Sequence, residues 1–187
     1  MNFLIVYATT EGQTRKICEF VADRIKMHKH DFVLVDASAH SDTDLKLRGY
    51  DGVVIAGSLH VGKFQTGIEE FVRTRHDTLN GMRTAFLPVS LAAASKDEDD
   101  VKGLEQCVRR FTEATGWRPG TIHKIAGAFR FTQYDFFKRW GMKLIAYQKG
   151  VPTDTSRDLE LTDWLDVTVF VDNFVASVEA ARRPAVC

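Results

Sequence analysis

The first fourteen residues constrain the fold of this chain more than any other stretch. Phe3-Leu4-Ile5-Val6-Tyr7-Ala8 is a short apolar run with β-branched and aromatic content, the pattern of a buried strand. It leads directly into Thr9-Thr10-Glu11-Gly12-Gln13-Thr14 and then into an amphipathic helical pattern. A buried strand that ends in a hydroxyl-rich loop and feeds a helix N-terminus is an anion site. Unpaired amides of the first helical turn point at the ligand, and threonine hydroxyls can donate to its oxygens. The loop has no Gly-Lys-Ser/Thr ending, so a Mg-nucleotide is poorly provided for. Gly12 is its only glycine, so the pattern that receives a dinucleotide pyrophosphate is also missing. A single phosphate monoester fits better, and FMN is the common cofactor of that kind. The competing reading is an ordinary threonine cap at a strand–turn–helix junction.

The chain has 187 residues, which reads as one domain spanning 1–187 with a sizeable core. Its formal net charge is zero, so no global field favours nucleic acid. Cys18, Cys107 and Cys187 are far apart and form no CxxC, which suggests neither a disulfide framework nor a zinc site and fits a reducing cytosol. His28, His30, His40, His76 and His123 are scattered, and no metal is expected. The N-terminus has no basic n-region, so no signal peptide is read there. No apolar run is long enough to span a bilayer.

Beyond the loop, Ile17, Phe20, Val21 and Ile25 fall at helical spacing and predict a helix over about 13–29. Residues 31–36 and 52–57 read as strands 2 and 3, and a short helix is possible within 42–47. Ile68, Phe71, Val72 and Leu79 mark the next helix; residues 84–91 read as strand 4. The acidic run 96–100 favours the start of a helix that carries Val101, Leu104, Val108 and Phe111. Residues 121–129 read as strand 5. The last helix begins near Thr162 or Asp163 and buries Trp164, Val167, Val171, Phe174 and Val178; Trp117 and Trp164 are expected to pack. Strands alternating with helices predict an α/β doubly wound, five-stranded parallel sheet in the flavodoxin-like order 2-1-3-4-5. In that order a ligand lies beyond the C-terminal ends of strands 1 and 3. The rule nominates residues 9–14, 58–64 and, after strand 4, 89–95.

Over thirty residues lie between strand 5 and the last helix, where a few would suffice. This insertion, about 131–160, contains FTQYDFFKRWGMKLIAYQKG at 131–150. On a helical wheel Phe136, Phe137, Trp140, Leu144 and Tyr147 share one face. Lys138 and Arg139 lie away from it, with Lys143 at its border. From Arg130 to Lys149 there are five basic residues against one acid, Asp135, although the chain as a whole is neutral. Aromatic anchors with basic flanks suit a membrane interface, and they equally suit a helix packed on its own domain.

The start VYATTEGQTRKI, the segment AGSLHVGKF, the turn TGWRP, the strand IAGAFRF, the insertion YDFFKRWGMKLIAYQKG and the approach TDTSRDLELTDW occur in one order. Together they resemble the flavodoxin-like, menaquinone-dependent protoporphyrinogen oxidases (protoporphyrinogen IX dehydrogenases) over nearly the whole chain. One departure is Lys149-Gly150-Val151-Pro152, where a Gly-Gly-Glu type sequence is more usual. The resemblance implies FMN, oxidation of protoporphyrinogen IX to protoporphyrin IX in haem biosynthesis, and a menaquinone-type quinone as acceptor. It implies a cytoplasmic protein, peripheral on the inner face of the cell membrane; a homo-oligomer is compatible with it.

Thr9, Thr10, Glu11, Gly12, Gln13 and Thr14 match the family's phosphate loop residue by residue, with the Glu11 carboxylate expected to point to solvent. Ser58, Leu59, His60, Val61 and Gly62 are expected along one side of the flavin, and Val89, Ser90, Leu91 and Ala92 along the other side or the ring edge. Neither flavin loop contains Trp or Tyr, so a strongly stacked ring is not expected. No side chain is assigned as catalytic. His60, of the residue type that titrates nearest neutral pH, can polarise the flavin or move a proton, or simply sit on a surface loop. Arg130 and the basic residues of the insertion can meet propionates by charge-assisted hydrogen bonds, although solvated side chains are the commoner outcome. Two other functions compete: a flavodoxin-type electron carrier, usually strongly acidic and without such an insertion, and a general NAD(P)H:quinone reductase.

Overall fold

The computed structural model describes residues 1–38, 45–129 and 159–182. Strand β1 (Asn2–Ala8) lies in the sheet between β2 (Asp31–Asp36) and β3 (Gly52–Ser58), parallel to both. Next to β3 comes β4 (Arg83–Ser90), and β5 (Thr121–Ile122) and β6 (Ile125–Ala126) both pair with β4. The order is β2-β1-β3-β4-β5, the doubly wound parallel order expected from the sequence.

The alternation of side chains along β1 builds two apolar layers. Phe3, Ile5 and Tyr7 enter the layer shared with helices α1 (Gln13–Met27) and α4 (Trp164–Arg182). Leu4, Val6 and Ala8 enter the opposite layer, with α2 (Thr66–Asn80) and α3 (Glu98–Thr115). With helices on both faces, no polar side is left to the strand, and its run is apolar throughout. Each fully buried aliphatic or aromatic side chain there contributes about 1.5–3 kcal/mol relative to exposure. β1 is thereby fixed, and the loop that follows it is held in place.

The helix ends follow from local chemistry. Asp97 caps α3 by accepting the Asp99 amide at 2.9 Å, and Glu98, Asp99 and Asp100 place negative charge in its first turn. Asp163 caps α4, its Oδ1 accepting from the amides of Leu165 (3.0 Å) and Asp166 (3.1 Å). Trp164 packs on Phe20 with ring centroids 4.8 Å apart, and Trp117 is buried against Phe86, so both tryptophans pack as expected.

Strand 5 departs from the continuous run expected over 121–129. β5 and β6 keep one register on β4, with Ala85 opposite Thr121 and Ser90 opposite Ala126, but the ladder is interrupted between them. The interruption faces Leu87 and Pro88, and proline has no amide hydrogen to give a ladder. After Gly127 the chain leaves the sheet altogether. β7 (Ala128–Phe129) pairs antiparallel with β8 (Leu159–Glu160), which closes the base of the insertion. Residues 130–158 lie outside the described residues, and with them the helical segment expected there. Of the short helix expected near 42–47, residues 42–44 lie outside the described residues with the rest of 39–44; residues 45 and 46 are not helical, and a 3-10 turn covers Leu47–Gly49.

Candidate functional site

β1 ends at Ala8, and the chain turns through residues 9–12 into α1. Gly12 makes the turn possible with φ 87° and ψ −13°, a left-handed conformation that costs a residue with a Cβ. Its amide donates to Thr9 Oγ1 at 2.9 Å, so this N–H closes the loop internally and does not point into the site. The first turn of α1 has no acidic side chain, so the positive end of its dipole is not neutralised from within. Thr14 sits in that turn, 1% exposed, and its Oγ1 has no hydrogen-bond partner among the described residues. A buried hydroxyl without a partner, at an open helix N-terminus, is a place prepared for an acceptor from outside the chain.

Gln65, the N-cap residue of α2, joins two loops of the site. Its Nε2 donates to Thr10 Oγ1 at 3.1 Å and to Ser58 Oγ. Its Oε1 is buried without a partner among the described residues. The β3 loop is fixed to the β4 end by the Leu59 amide, which donates to the Val89 carbonyl at 2.8 Å. Ser90 Oγ accepts from the Ala92 amide at 3.2 Å and turns the chain away after β4.

These elements enclose a small cavity of about 70 Å³ at the C-terminal ends of β1, β3 and β4. Thr9, Thr10, Glu11, Gln13, Thr14, Ser58, Leu59, His60, Val89, Ser90 and Leu91 line it, eleven of the fifteen residues nominated from sequence. Gly12, Val61, Gly62 and Ala92 do not line it; Gly12 shapes the loop, and Val61 with Gly62 forms the outer tip of the β3 loop. Gln13 turns its side chain outward, donating to Glu160 Oε1 and Thr162 Oγ1, each at 2.9 Å. Arg130, Phe136, Phe137, Lys138, Arg139, Trp140, Lys143, Leu144 and Tyr147 lie outside the described residues. A larger hollow of about 1010 Å³ runs between residues 45–48 and α2, but it borders the undescribed residues 39–44. The chemistry converges on the small cavity, where the topology reverses.

Sequence reasoning missed Gln65, Gly127 and Ala128. Glutamine is not a usual cap, so nothing in the pattern marked Gln65. Gly127 and Ala128 line the cavity because the chain leaves the sheet there, which a continuous strand would not do. No cluster of His, Cys, Asp and Glu side chains suited to a metal ion occurs among the described residues.

Strand order, an open helix N-terminus and a hydroxyl-rich loop at the switch point define a flavodoxin-type domain. Residues 4–156 match the family described as a flavodoxin domain. Protoporphyrinogen IX dehydrogenase (quinone) of Escherichia coli (strain K12) is 34% identical over 171 residues, covering 91% of this chain and 92% of that protein. The Leishmania major protein of the same name is 28% identical over 177 residues, covering 92% of this chain and 74% of its own length. Among solved structures, a short-chain flavodoxin associated with a non-canonical PDU bacterial microcompartment superposes with a TM-score of 0.60 at 14% identity, covering 95% of this chain and 99% of that one. The chain belongs to the flavodoxin domain family and, within it, to the family of the quinone-dependent protoporphyrinogen IX dehydrogenases. The flavodoxin domain implies FMN. The unpartnered Thr14 hydroxyl and the open first turn of α1 fit its phosphate.

Proposed function

We propose that this chain oxidises protoporphyrinogen IX to protoporphyrin IX with FMN and delivers the electrons to a menaquinone-type quinone. The observation that carries this reading is the orphaned Thr14 hydroxyl at the N-terminus of α1, in a chain related over nearly its whole length to enzymes named for this reaction. FMN, when bound, supplies the redox chemistry, taking electrons from the reduced tetrapyrrole and yielding them to the quinone.

The chain's own part is binding and exclusion. Thr9, Thr10 and Thr14 would donate hydroxyls to the phosphate, alongside first-turn amides of α1. Gln65 holds the Thr10 and Ser58 loops at a fixed separation. Ser58, Leu59, His60, Val89, Ser90, Leu91, Gly127 and Ala128 line the same cavity and would flank the ring of bound FMN. No Trp or Tyr stands among them, which leaves a ring face open to a bulky partner.

The peripheral position on a membrane, and the role of residues 131–150 as the face that meets it, are supported by the aromatic and basic pattern of that segment. No helix among the described residues is long and apolar enough to cross a membrane. The deciding experiment is anaerobic reduction of the FMN-loaded protein by protoporphyrinogen IX, compared with NADH and NADPH, followed by reoxidation with menaquinone. Reduction by the porphyrinogen and rapid reoxidation by the quinone are expected. Reduction by NAD(P)H alone, or exchange only with one-electron protein carriers, refutes the reading.

A further inference from the structure

Four hydroxyls of the cavity share one polarity. Thr9 Oγ1 accepts from the Gly12 amide at 2.9 Å, and Ser90 Oγ accepts from the Ala92 amide at 3.2 Å. Thr10 Oγ1 accepts from Gln65 Nε2 at 3.1 Å, and Ser58 Oγ accepts from the same nitrogen. A hydroxyl that accepts within the chain still has its proton to give. All four line the cavity, and none has an acceptor for that proton among the described residues. For Thr9 and Ser90 the backbone sets this polarity. For Thr10 and Ser58 one side chain sets it, Gln65.

A contact with a hydroxyl does not by itself orient an amide, since a hydroxyl accepts or donates. The far side of the Gln65 amide decides the orientation. The atom there is buried without a partner among the described residues and lies against β3. A Cβ built on Gly57 would stand 3.7 Å from it, with the Phe64 and Ile68 side chains also in reach. An NH2 group in that place would leave two donors unpaired; a carbonyl leaves one acceptor, the lesser cost. The NH2 group therefore faces the two hydroxyls, with one hydrogen for each. Gln65 does not itself line the cavity, so it reaches a ligand there through Thr10 and Ser58.

We propose that Gln65 is a positioning residue that reserves the Thr10 and Ser58 protons for FMN. It thereby makes donors of the phosphate loop and the ring loop together. A hydroxyl that accepts one hydrogen bond donates a stronger one, so the amide also strengthens both contacts. At the phosphate this adds affinity. At the ring, a donor to an acceptor atom favours the reduced, more electron-rich flavin and raises its potential. The proposal rests on the FMN assignment above and holds for any substrate that reduces the flavin.

The test is a double-mutant cycle on the full chain. Q65E keeps the length of the side chain but its carboxylate only accepts, so Thr10 and Ser58 must donate to it. T10V and S58A remove the two hydroxyls. FMN affinity is read by flavin fluorescence, and the two-electron potential of bound FMN by equilibration with a reference dye. In the wild-type background T10V should weaken FMN roughly tenfold. S58A should weaken reduced FMN roughly three- to tenfold more than oxidised FMN, a fall of about 15–30 mV in potential. Q65E should reproduce both losses, and within it T10V and S58A should cost nothing further. A carboxylate that acts only by its charge leaves both hydroxyl effects intact in Q65E. A side chain that only ties the loops together is replaced by Glu without loss. Either result overturns the proposal. Q65M adds no charge and covers the case of a Q65E that does not fold. It should weaken FMN roughly two- to fivefold and lower the potential, and wild-type values of both in Q65M overturn the proposal as well. A wild-type chain that binds no FMN refutes the cofactor assignment itself; a chain that binds FMN and shows none of these shifts loses only the role of Gln65.

Discussion

A buried hydroxyl left without a partner costs a folded chain about 1–3 kcal/mol, and Thr14 Oγ1 is such a group. That cost makes T14V act in opposite directions on two measurements. Valine keeps the shape of threonine and removes the orphan, so the FMN-free protein should gain up to about 2–4 °C in thermal midpoint for each kcal/mol recovered. FMN affinity should fall by about 1–3 kcal/mol, because the phosphate loses a donor. Flavin fluorescence titration beside thermal unfolding of the FMN-free protein reads both; a variant that changes neither removes Thr14 from the site. Gln65 is expected to act on the same cofactor by a different route. Q65A breaks the bonds to Thr10 and Ser58 and should weaken FMN by about 1–2 kcal/mol, through loops no longer held in register. Thr14 was nominated from the sequence because a hydroxyl in the first turn after a buried strand has a recurrent use. Gln65 was not, because its role depends on two loops that meet only after the sheet has formed.

At the scale of elements, α1 is fastened along its length to parts of the chain far away in sequence. Near its N-terminus Lys16 Nζ lies 2.8 Å from Glu160 Oε2 and over the Trp164 ring, and Gln13 bonds Glu160 and Thr162. Thr162 Oγ1 in turn donates to the Ala126 carbonyl at 2.7 Å. The base of the insertion and the helix that begins the phosphate site thus share one polar junction. Near the other end, Arg24 Nε and Nη2 each lie 2.7 Å from a different oxygen of Asp172 on α4, and His28 Nε2 is 2.7 Å from Asp172 Oδ1. The hydrogen bond from Arg24, then that from His28, holds the Asp172 carboxyl far below its ordinary value. A carboxyl whose folded-state pKa is depressed contributes stability above its unfolded pKa and loses it as pH falls through the folded value. The wild type should therefore lose stability progressively below about pH 4, and D172N should show a shallower acid limb in denaturant midpoints between neutral and strongly acid pH. Identical acid limbs would show that the pair adds nothing to α1–α4 packing. These ties were invisible in the sequence, since no spacing relates Arg24 to Asp172 or Gln13 to Glu160. The elements themselves were legible to within a residue or two, because buried strands and amphipathic helices carry their periodicity locally. The broken fifth strand was missed because its interruption faces Pro88 on a different strand.

At the scale of the whole molecule, the substrates set the problem. A membrane quinone stays in the bilayer, and a porphyrinogen is a large ring with carboxylates, so the domain needs a surface that reaches both. The proposed surface is residues 131–150, and the described residues hold exposed apolar side chains of their own. Leu165 and Val169 are separated by one helical turn on α4, just beyond the β7–β8 base, and are 74% and 51% exposed. These two side chains give the described part of the protein an apolar patch that a membrane surface can cover. If that surface meets a membrane, Lys138, Arg139 and Lys143 would each contribute about 1 kcal/mol near anionic headgroups, and salt would screen that contribution. Co-sedimentation with vesicles containing anionic lipid should therefore be strong at low salt and weaker at high salt. L165D sits on an exposed helical face and should leave the thermal midpoint almost unchanged while reducing vesicle binding. Replacing residues 131–150 by a tight turn should leave FMN binding intact, because the phosphate loop is held by β1, α1 and Gln65. It should abolish vesicle binding and lower turnover with menaquinone in vesicles. If the shortened protein keeps full turnover, and the wild type never sediments with anionic vesicles, the segment is a surface helix of the domain and the membrane face must be sought elsewhere.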